Sequence, residues 1–346
     1  MPLRTVENPP NPWGGPDVDY LGAPPTAALR VFEDHSRSII STNDSPDLGF
    51  DYSVNPYRGC VHACAYCYAR PTHTFLDLGA GTDFDRKIVV KPRAAELLRD
   101  VFDKPSWRGG LVLFSGVTDC YQPLEASYRL TRACMEVCAE YRNPVGIITK
   151  APLIERDIDV LREVSARGRL SISISIPLWD REAARVVEPG AATPQRRIET
   201  IRRLAAAGLT VGVNVAPIIP GLSDPDIPRI LEAAADAGAQ GAVAIMLRLP
   251  GVVADVFTSR VREGMPLRAE HILSRQRDVR GGKLNDPRWQ RRMVGEGAHA
   301  RAILRLFEAT AARLGLRRAA SDEPDPPTTF ERPPKSGEQL SLLPLG

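Results

Sequence analysis

Short apolar runs and longer stretches of helical periodicity alternate along this chain from about residue 50 to residue 246. Residues 111–114 (Leu-Val-Leu-Phe), 145–149 (Val-Gly-Ile-Ile-Thr) and 242–246 (Ala-Val-Ala-Ile-Met) are compact apolar runs. Residues 170–176 alternate apolar side chains with serine, and 210–216 form another apolar stretch. With the segment 50–55, these six read as strands. Amphipathic spacing predicts helices over about 124–141, 154–166, 193–207 and 225–237, the last two ending at Gly208 and Gly238. A further helix is predicted within 91–102, with Pro92 near its start. Apolar strands alternating with amphipathic helices specify an α/β fold with a parallel sheet wrapped by helices. The pattern alone leaves a six-stranded barrel and a doubly wound sheet open.

The two ends differ in texture. Residues 1–28 are rich in Pro and Gly and read as an extended, weakly ordered arm. The predicted organisation is an arm over 1–44, a barrel over 45–250, a basic and mostly helical extension over 251–318, and a tail over 319–346. No apolar run reaches the roughly 18 residues of a membrane helix, so no membrane association is expected. The start lacks the apolar stretch of a secretory signal, so a cytoplasmic location is expected, where thiols stay reduced. Net charge over the 346 residues is only +3. Between His271 and Arg318, however, twelve Lys and Arg stand against four Asp and Glu, a local net of +8. Such a stretch either neutralises phosphates or forms a solvated helical face.

Chemistry concentrates in residues 55–70, Asn-Pro-Tyr-Arg-Gly-Cys-Val-His-Ala-Cys-Ala-Tyr-Cys-Tyr-Ala-Arg. Cys60, Cys64 and Cys67 stand in the order Cys-x3-Cys-x2-Cys. Three thiolates on so short a loop can hold three irons of a cubic iron–sulfur cluster and leave the fourth without a protein ligand. An open iron is a reaction site, whereas a cluster closed by four cysteines is an electron store. A zinc knuckle, with His62 or His73 as the fourth ligand, is the competing reading. A disulfide scaffold does not suit a chain of this length with six cysteines. Residues 115–125, after the second strand, form a polar loop at a strand end, where barrel enzymes place their chemistry. Cys134 and Cys138, four apart on a predicted helix, share a face and read as core. Lys150 follows the third strand and either meets an anionic substrate or caps the strand end. His62 either tunes the cluster or orients the loop.

The cysteine spacing, with Tyr66 before the third cysteine, resembles the signature of radical S-adenosylmethionine (SAM) enzymes. Together with Thr118-Asp119, residues 121–125, Ile148-Thr-Lys150, Glu188-Pro189, Arg197 and residues 215–222, it is similar to the radical SAM proteins labelled spore photoproduct lyase-like. The resemblance covers about residues 45–315. It implies a partial (β/α)6 TIM-type barrel, reductive cleavage of SAM to a 5′-deoxyadenosyl radical, and hydrogen abstraction from a substrate, with DNA lesion repair first in line. It implies that Cys60, Cys64 and Cys67 ligate a [4Fe–4S] cluster and that the Tyr66 backbone meets the adenine. Ser115, Gly116, Thr118 and Asp119 would lie at the SAM amino group, Ser173 and Ser175 at ribose or carboxylate, Arg197 at the carboxylate, and Val215 and Ala216 along the adenine. A one-electron reductant is an implied partner. Spore photoproduct lyases carry a hydrogen-donating cysteine just before the Thr of the second-strand loop. Here that position is Val117, with a thiol three residues later at Cys120, which could serve as donor or be a small core residue. The other substrates consistent with the resemblance are tRNA, a peptide or a metabolite. A non-catalytic metal-bearing binding module is the reading from a different class.

Residues 319–337 are Pro-rich and poor in apolar residues, the composition of a disordered linker. Residues 339–343, Gln-Leu-Ser-Leu-Leu, resemble the peptide by which bacterial repair and replication proteins bind the β sliding clamp, with Leu343 in place of Phe.

Overall fold

The computed structural model describes residues 4–6, 28–289, 291–318 and 327–334. Twelve strands are described: β1 (Arg4–Val6), β2 (Arg30–Glu33), β3 (Ile40–Thr42), β4 (Tyr52–Val54), β5 (Tyr57–Arg58), β6 (Lys87–Val90), β7 (Val112–Phe114), β8 (Val145–Thr149), β9 (Leu170–Ser175), β10 (Val211–Ile218), β11 (Gly241–Met246) and β12 (Arg317–Arg318). Eight of them form one curved sheet in the order β12-β11-β10-β9-β8-β7-β4-β3. Its centre is the six parallel strands β4, β7, β8, β9, β10 and β11, in chain order. These are the six segments predicted from the pattern, and the partial barrel is the fold observed. The candidate docking peptide at 339–343 and most of the N-terminal arm lie outside the described residues.

The helices follow the predicted order with local breaks. The stretch 124–141 is two helices, Glu125–Tyr128 and Leu130–Glu140, because Arg129 takes a left-handed conformation between them. Gly208 and Gly238 have positive φ just past helices Pro194–Ala206 and Ile227–Asp236. The pattern did not reveal helix Arg181–Val187. Nor did it reveal a second sheet, β1-β2-β6-β5, which draws residues 30–33 of the predicted arm into the fold. That sheet matters to function. Its β5 pairs antiparallel with β6, Tyr57 opposite Val90, and the chain enters the cysteine loop directly from β5.

Strand alternation divides the barrel into two environments. Ile172, Ile174, Val211, Val213 and Val215 face outward into the main apolar core with the helices. The alternate positions face the lumen, and on β9 and β10 they are small or polar. One register layer holds Ile148, Ser173, Gly212 and Gly241. The next pairs Ser175 with Asn214. A closed eight-stranded barrel fills its interior with branched side chains, whereas glycine and serine at these positions leave room for a bound molecule.

Part of the segment read as a disordered linker is ordered against the barrel. Thr328 Oγ1 donates to Gly109 O at 2.6 Å, Glu331 N to Tyr141 O at 2.9 Å, and Arg332 Nε to Phe102 O at 2.9 Å. The Phe330 ring contacts Phe102 and Tyr141. One aromatic ring, one backbone hydrogen bond and several side-chain bonds to backbone carbonyls thus fix a strap that composition alone reads as unstructured. Gly109 has φ +72°, and a Cβ there would lie 2.1 Å from the Phe330 Cβ. Gly109→Ala is therefore expected to release the strap and lower stability by ~2 kcal/mol. Thermal denaturation, together with new proteolytic cleavage around residues 327–334, checks it; an unaltered digest would count against the strap.

Candidate functional site

The cysteine loop sits at the C-terminal end of β4 and is held from three sides. From below, the buried Arg70 guanidinium donates to Cys64 O at 3.0 Å, to Ala80 O and Gly81 O, and to Asp85 Oδ1 at 2.9 Å. From the flank, Gln122 receives Val61 N–H at 3.1 Å and donates to Gly59 O at 3.0 Å. From across the barrel, residues 187–190 pair with the loop like a short strand. Ala65 N donates to Val187 O at 2.8 Å and Gly190 N to His62 O at 3.0 Å. At Gly190 a Cβ would lie 2.1 Å from Val61 O, so only glycine allows this approach.

The three cysteines are free thiols, two of them buried and Cys67 half-buried. Among the described residues, no three His, Cys, Asp or Glu converge where one metal ion could bind. Mononuclear zinc needs its donors about 2.0–2.3 Å from a single centre. Thiols spread along a loop instead suit a multi-iron cluster in which each takes a different iron. Of the two histidines, His73 Nε2 bonds Lys87 O at 2.9 Å, and His62 Nδ1 lies 3.4 Å from Asp119 Oδ2. Burial, with Glu188 adding to it, pushes the Cys64 thiol up to about 12, against the pull of Lys150 and Arg197. Metal binding supplies the force that deprotonates such thiols.

The loop after β7 is braced rather than open. Asn55 Oδ1 accepts Val117 N at 2.8 Å, Thr118 Oγ1 donates to Tyr57 O at 2.8 Å, and Ser115 Oγ accepts Cys120 N at 2.9 Å. Gly116 O receives the Tyr68 hydroxyl, and a Cβ at Gly116 would crowd Ser53. Asp119 receives Thr149 Oγ1 at 2.6 Å and Lys150 N at 2.8 Å. Burial opposes its charge, but His62 and these hydrogen bonds outweigh that and hold Asp119 at about 2.

Comparison with known proteins places this architecture. Residues 54–234 match the Radical SAM superfamily. This chain belongs to the radical SAM superfamily. An uncharacterised protein of Mycobacterium tuberculosis is 37% identical over 286 residues, covering 82% of this chain and 79% of that one. The radical SAM Nalpha-GlyT isomerase of Pseudomonas phage M6 is 27% identical over 188 residues, 54% of this chain and 37% of that protein. Among solved structures, spore photoproduct lyase complexed with dinucleoside spore photoproduct aligns with TM-score 0.60 at 16% identity, over 83% of this chain and 81% of that one. Radical SAM enzymes use a [4Fe–4S] cluster and SAM, and the donor set fits both. The cysteine loop offers three thiols. The lumen beside it offers Asn214 Oδ1, a buried oxygen with no partner among the described residues, together with Ser173 and Ser175.

Several residues stand elsewhere than the resemblance implied. Arg197 is fully buried and bonded to Glu188 Oε2 at 2.6 Å, Ala192 O at 2.8 Å and Ser175 O at 2.9 Å. A buried carboxylate of the chain itself has taken the partner that SAM was expected to be. The Val215 side chain points into the outer core, so strand parity leaves only Gly212, Asn214 and Ala216 on the lumen side of β10. The Cys120 thiol lies in the same core, not at the barrel mouth. Thr118 spends its hydroxyl on Tyr57 O of β5. Asn214 was missed, although a lone polar residue within an apolar strand is a visible signal. Gly190 and Arg70 were missed because their roles depend on contacts between distant segments. Gly190→Ala should therefore yield protein of native helix content whose reconstituted iron falls several-fold. Circular dichroism and iron assay test this, and full iron loading would show that the loop does not need the close approach.

Proposed function

We propose that this enzyme applies radical SAM chemistry to a nucleic acid, with DNA the first candidate. The cluster, when bound, supplies the electron for reductive cleavage of SAM and so the radical that abstracts hydrogen. The chain's own residues bind and orient. The braced loops fix the cysteines, and the small lumen residues admit the nucleoside end of SAM.

The observation that carries the substrate class is Arg248. It follows β11 at the barrel mouth, half-buried, and its guanidinium lies 5.9 Å from the Tyr68 ring beside Cys67. Its one described hydrogen bond is to the Met293 sulfur at 3.7 Å. Burial and the nearby Arg292 lower its pKa, against the weaker pull of Tyr68 and Asp47. A phosphate beside a half-exposed aromatic ring, 51% exposed at Tyr68, is the chemistry of single-stranded nucleic acid. A base in a duplex would have to be extruded to reach the mouth. Spore photoproduct lyase, whose structures hold a dinucleoside photoproduct, supports the same class.

The broad basic stretch contributes less than its composition implied. Arg280 is buried against backbone carbonyls of residues 246–247 and 291–292. Arg275, Arg288, Arg291, Arg292 and Arg313 are paired with Asp278, Asp286, Glu296, Asp47 and Glu232.

The reaction is proposed to differ from the lyase route, because Val117 stands where the donor thiol would be and Cys120 lies in the core. Anaerobically reconstituted protein with SAM and a strong reductant should release 5′-deoxyadenosine, and Cys64→Ala should abolish release. Damaged or modified DNA should raise the yield several-fold over no substrate, with Arg248→Gln losing most of that increase. Stimulation by tRNA or peptide instead, or an Arg248→Gln enzyme that responds normally to DNA, would overturn the assignment. The proposal extends to the tail: removing residues 339–346 should abolish binding to the β sliding clamp in a pull-down. Undiminished binding would remove the docking role.

A further inference from the structure

Behind the cysteine loop lies a group of buried charges that the loop's backbone hydrogen bonds do not require. Glu188 and Arg197 are both fully buried and joined at 2.6 Å. The Tyr66 hydroxyl, between the second and third cysteines, donates to Glu188 Oε1. Lys150 Nζ lies 3.9 Å from the same oxygen and 5.8 Å from the centre of the Tyr66 ring. Its side chain is 17% exposed, at the lumen end of β8. One carboxylate and two cations leave a net charge of +1 beside Tyr66, which lies between the second and third cysteines.

Such a group is costly. Apolar side chains of similar volume stabilise an interior at least as well as a buried ion pair does. Stability alone therefore does not account for it. Its electrostatic reach does. Glu188 is bonded to the Tyr66 hydroxyl and Lys150 stands 5.8 Å from the same ring, so both charges reach the residue that lies between the second and third cysteines. Interior charges are weakly screened, and the net charge around an iron–sulfur cluster is one of the levers that set its potential.

We propose that Lys150 and Glu188 are positioning residues of opposite sign that set the reduction potential of the [4Fe–4S] cluster. One electron from an external donor converts the 2+ cluster to the more negative 1+ state. The Lys150 cation stabilises that added charge and the Glu188 carboxylate opposes it. Arg197 anchors Glu188 and holds the pair in register with the loop. The inference rests on superfamily membership and not on the proposed substrate, so it stands or falls separately from the nucleic-acid reading.

The test is a dithionite titration of reconstituted, SAM-free, full-length protein, with the reduced cluster followed by electron paramagnetic resonance. Lys150→Gln should lower the midpoint, changing the reduced-to-oxidised ratio at fixed potential about tenfold, or about 59 mV for one electron. Lys150→Arg should restore most of the shift. Glu188→Gln should move the midpoint the opposite way. A merely structural role predicts iron loss or shifts of one sign in both glutamine variants, and either result overturns the proposal. So does a Lys150→Gln protein with full iron and the wild-type potential. Should Glu188→Gln fail to hold iron, the Lys150 pair decides alone, since that side chain stands at the lumen edge and leaves the buried Glu188–Arg197 pair intact.

Discussion

A cluster held by three protein ligands has no fourth to close it, so the loop that carries the ligands must be fixed by contacts outside itself. Here the fixing element is the short backbone pairing between residues 62–65 and 187–190. It ties the first turn of the barrel to the region after β9, across the lumen. Glycine at 190 lets the two backbones meet, and Glu188, one residue along from Val187, reaches Tyr66 from the same segment. Arg70 and Gln122 complete the enclosure from below and from the flank. Removing any one support leaves unsatisfied buried groups, which the interior penalises by about 1–3 kcal/mol each. The loop is therefore held by the protein's own hydrogen bonds, independently of the cluster that Cys60, Cys64 and Cys67 would hold.

The same economy governs where polar groups are free. The loop after β7 looks, by composition, like a ligand-binding loop, yet most of its polar atoms brace the barrel. Asn55, Thr118 and Asp119 bond to neighbouring loops or strands, and Ser115 bonds within the loop. An unpartnered buried oxygen stands instead on a strand, at Asn214, in register with Ser175. Several arginines of the C-terminal extension are matched by acids or carbonyls, whereas Arg248 at the mouth has no acid partner at bonding distance among the described residues. Asn214 and Arg248 thus offer hydrogen-bonding capacity inside the barrel and at its rim, where a cofactor and a substrate would meet.

Much of this was legible in the sequence, and the limits have a physical pattern. The six parallel strands declare themselves because each is an apolar run with its own amphipathic helix. The cysteines declare themselves because their spacing is local. The second sheet is hidden because β2, β5 and β6 are two to four residues long and pair across more than thirty residues. The strap at 327–334 is hidden because one phenylalanine and a few hydrogen bonds to backbone carbonyls carry it in a Pro-rich context. Arg197 shows the sharpest limit. An arginine near a barrel mouth suits a carboxylate, but sequence cannot say whose, and Glu188 nine residues earlier supplies it. Val215 shows a smaller one: a single residue of strand phase decides whether a side chain faces lumen or core.

The distribution of thiols constrains the fate of a substrate radical once hydrogen has been abstracted. The chain has six cysteines. Three are on the cluster loop, and Cys120, Cys134 and Cys138 lie together in the core between sheet and helices. Val117, where the resemblance would put a donor thiol, packs against the small cluster of Cys60, Ala69 and Phe84. Within the proposed mechanism, no cysteine of this chain is placed to return a hydrogen atom to a substrate radical. The hydrogen atom then comes from a group other than a cysteine: the nucleoside that took it, a tyrosine such as the exposed Tyr68 at the mouth, or the substrate itself. A shared fold can therefore carry a different chemical outcome.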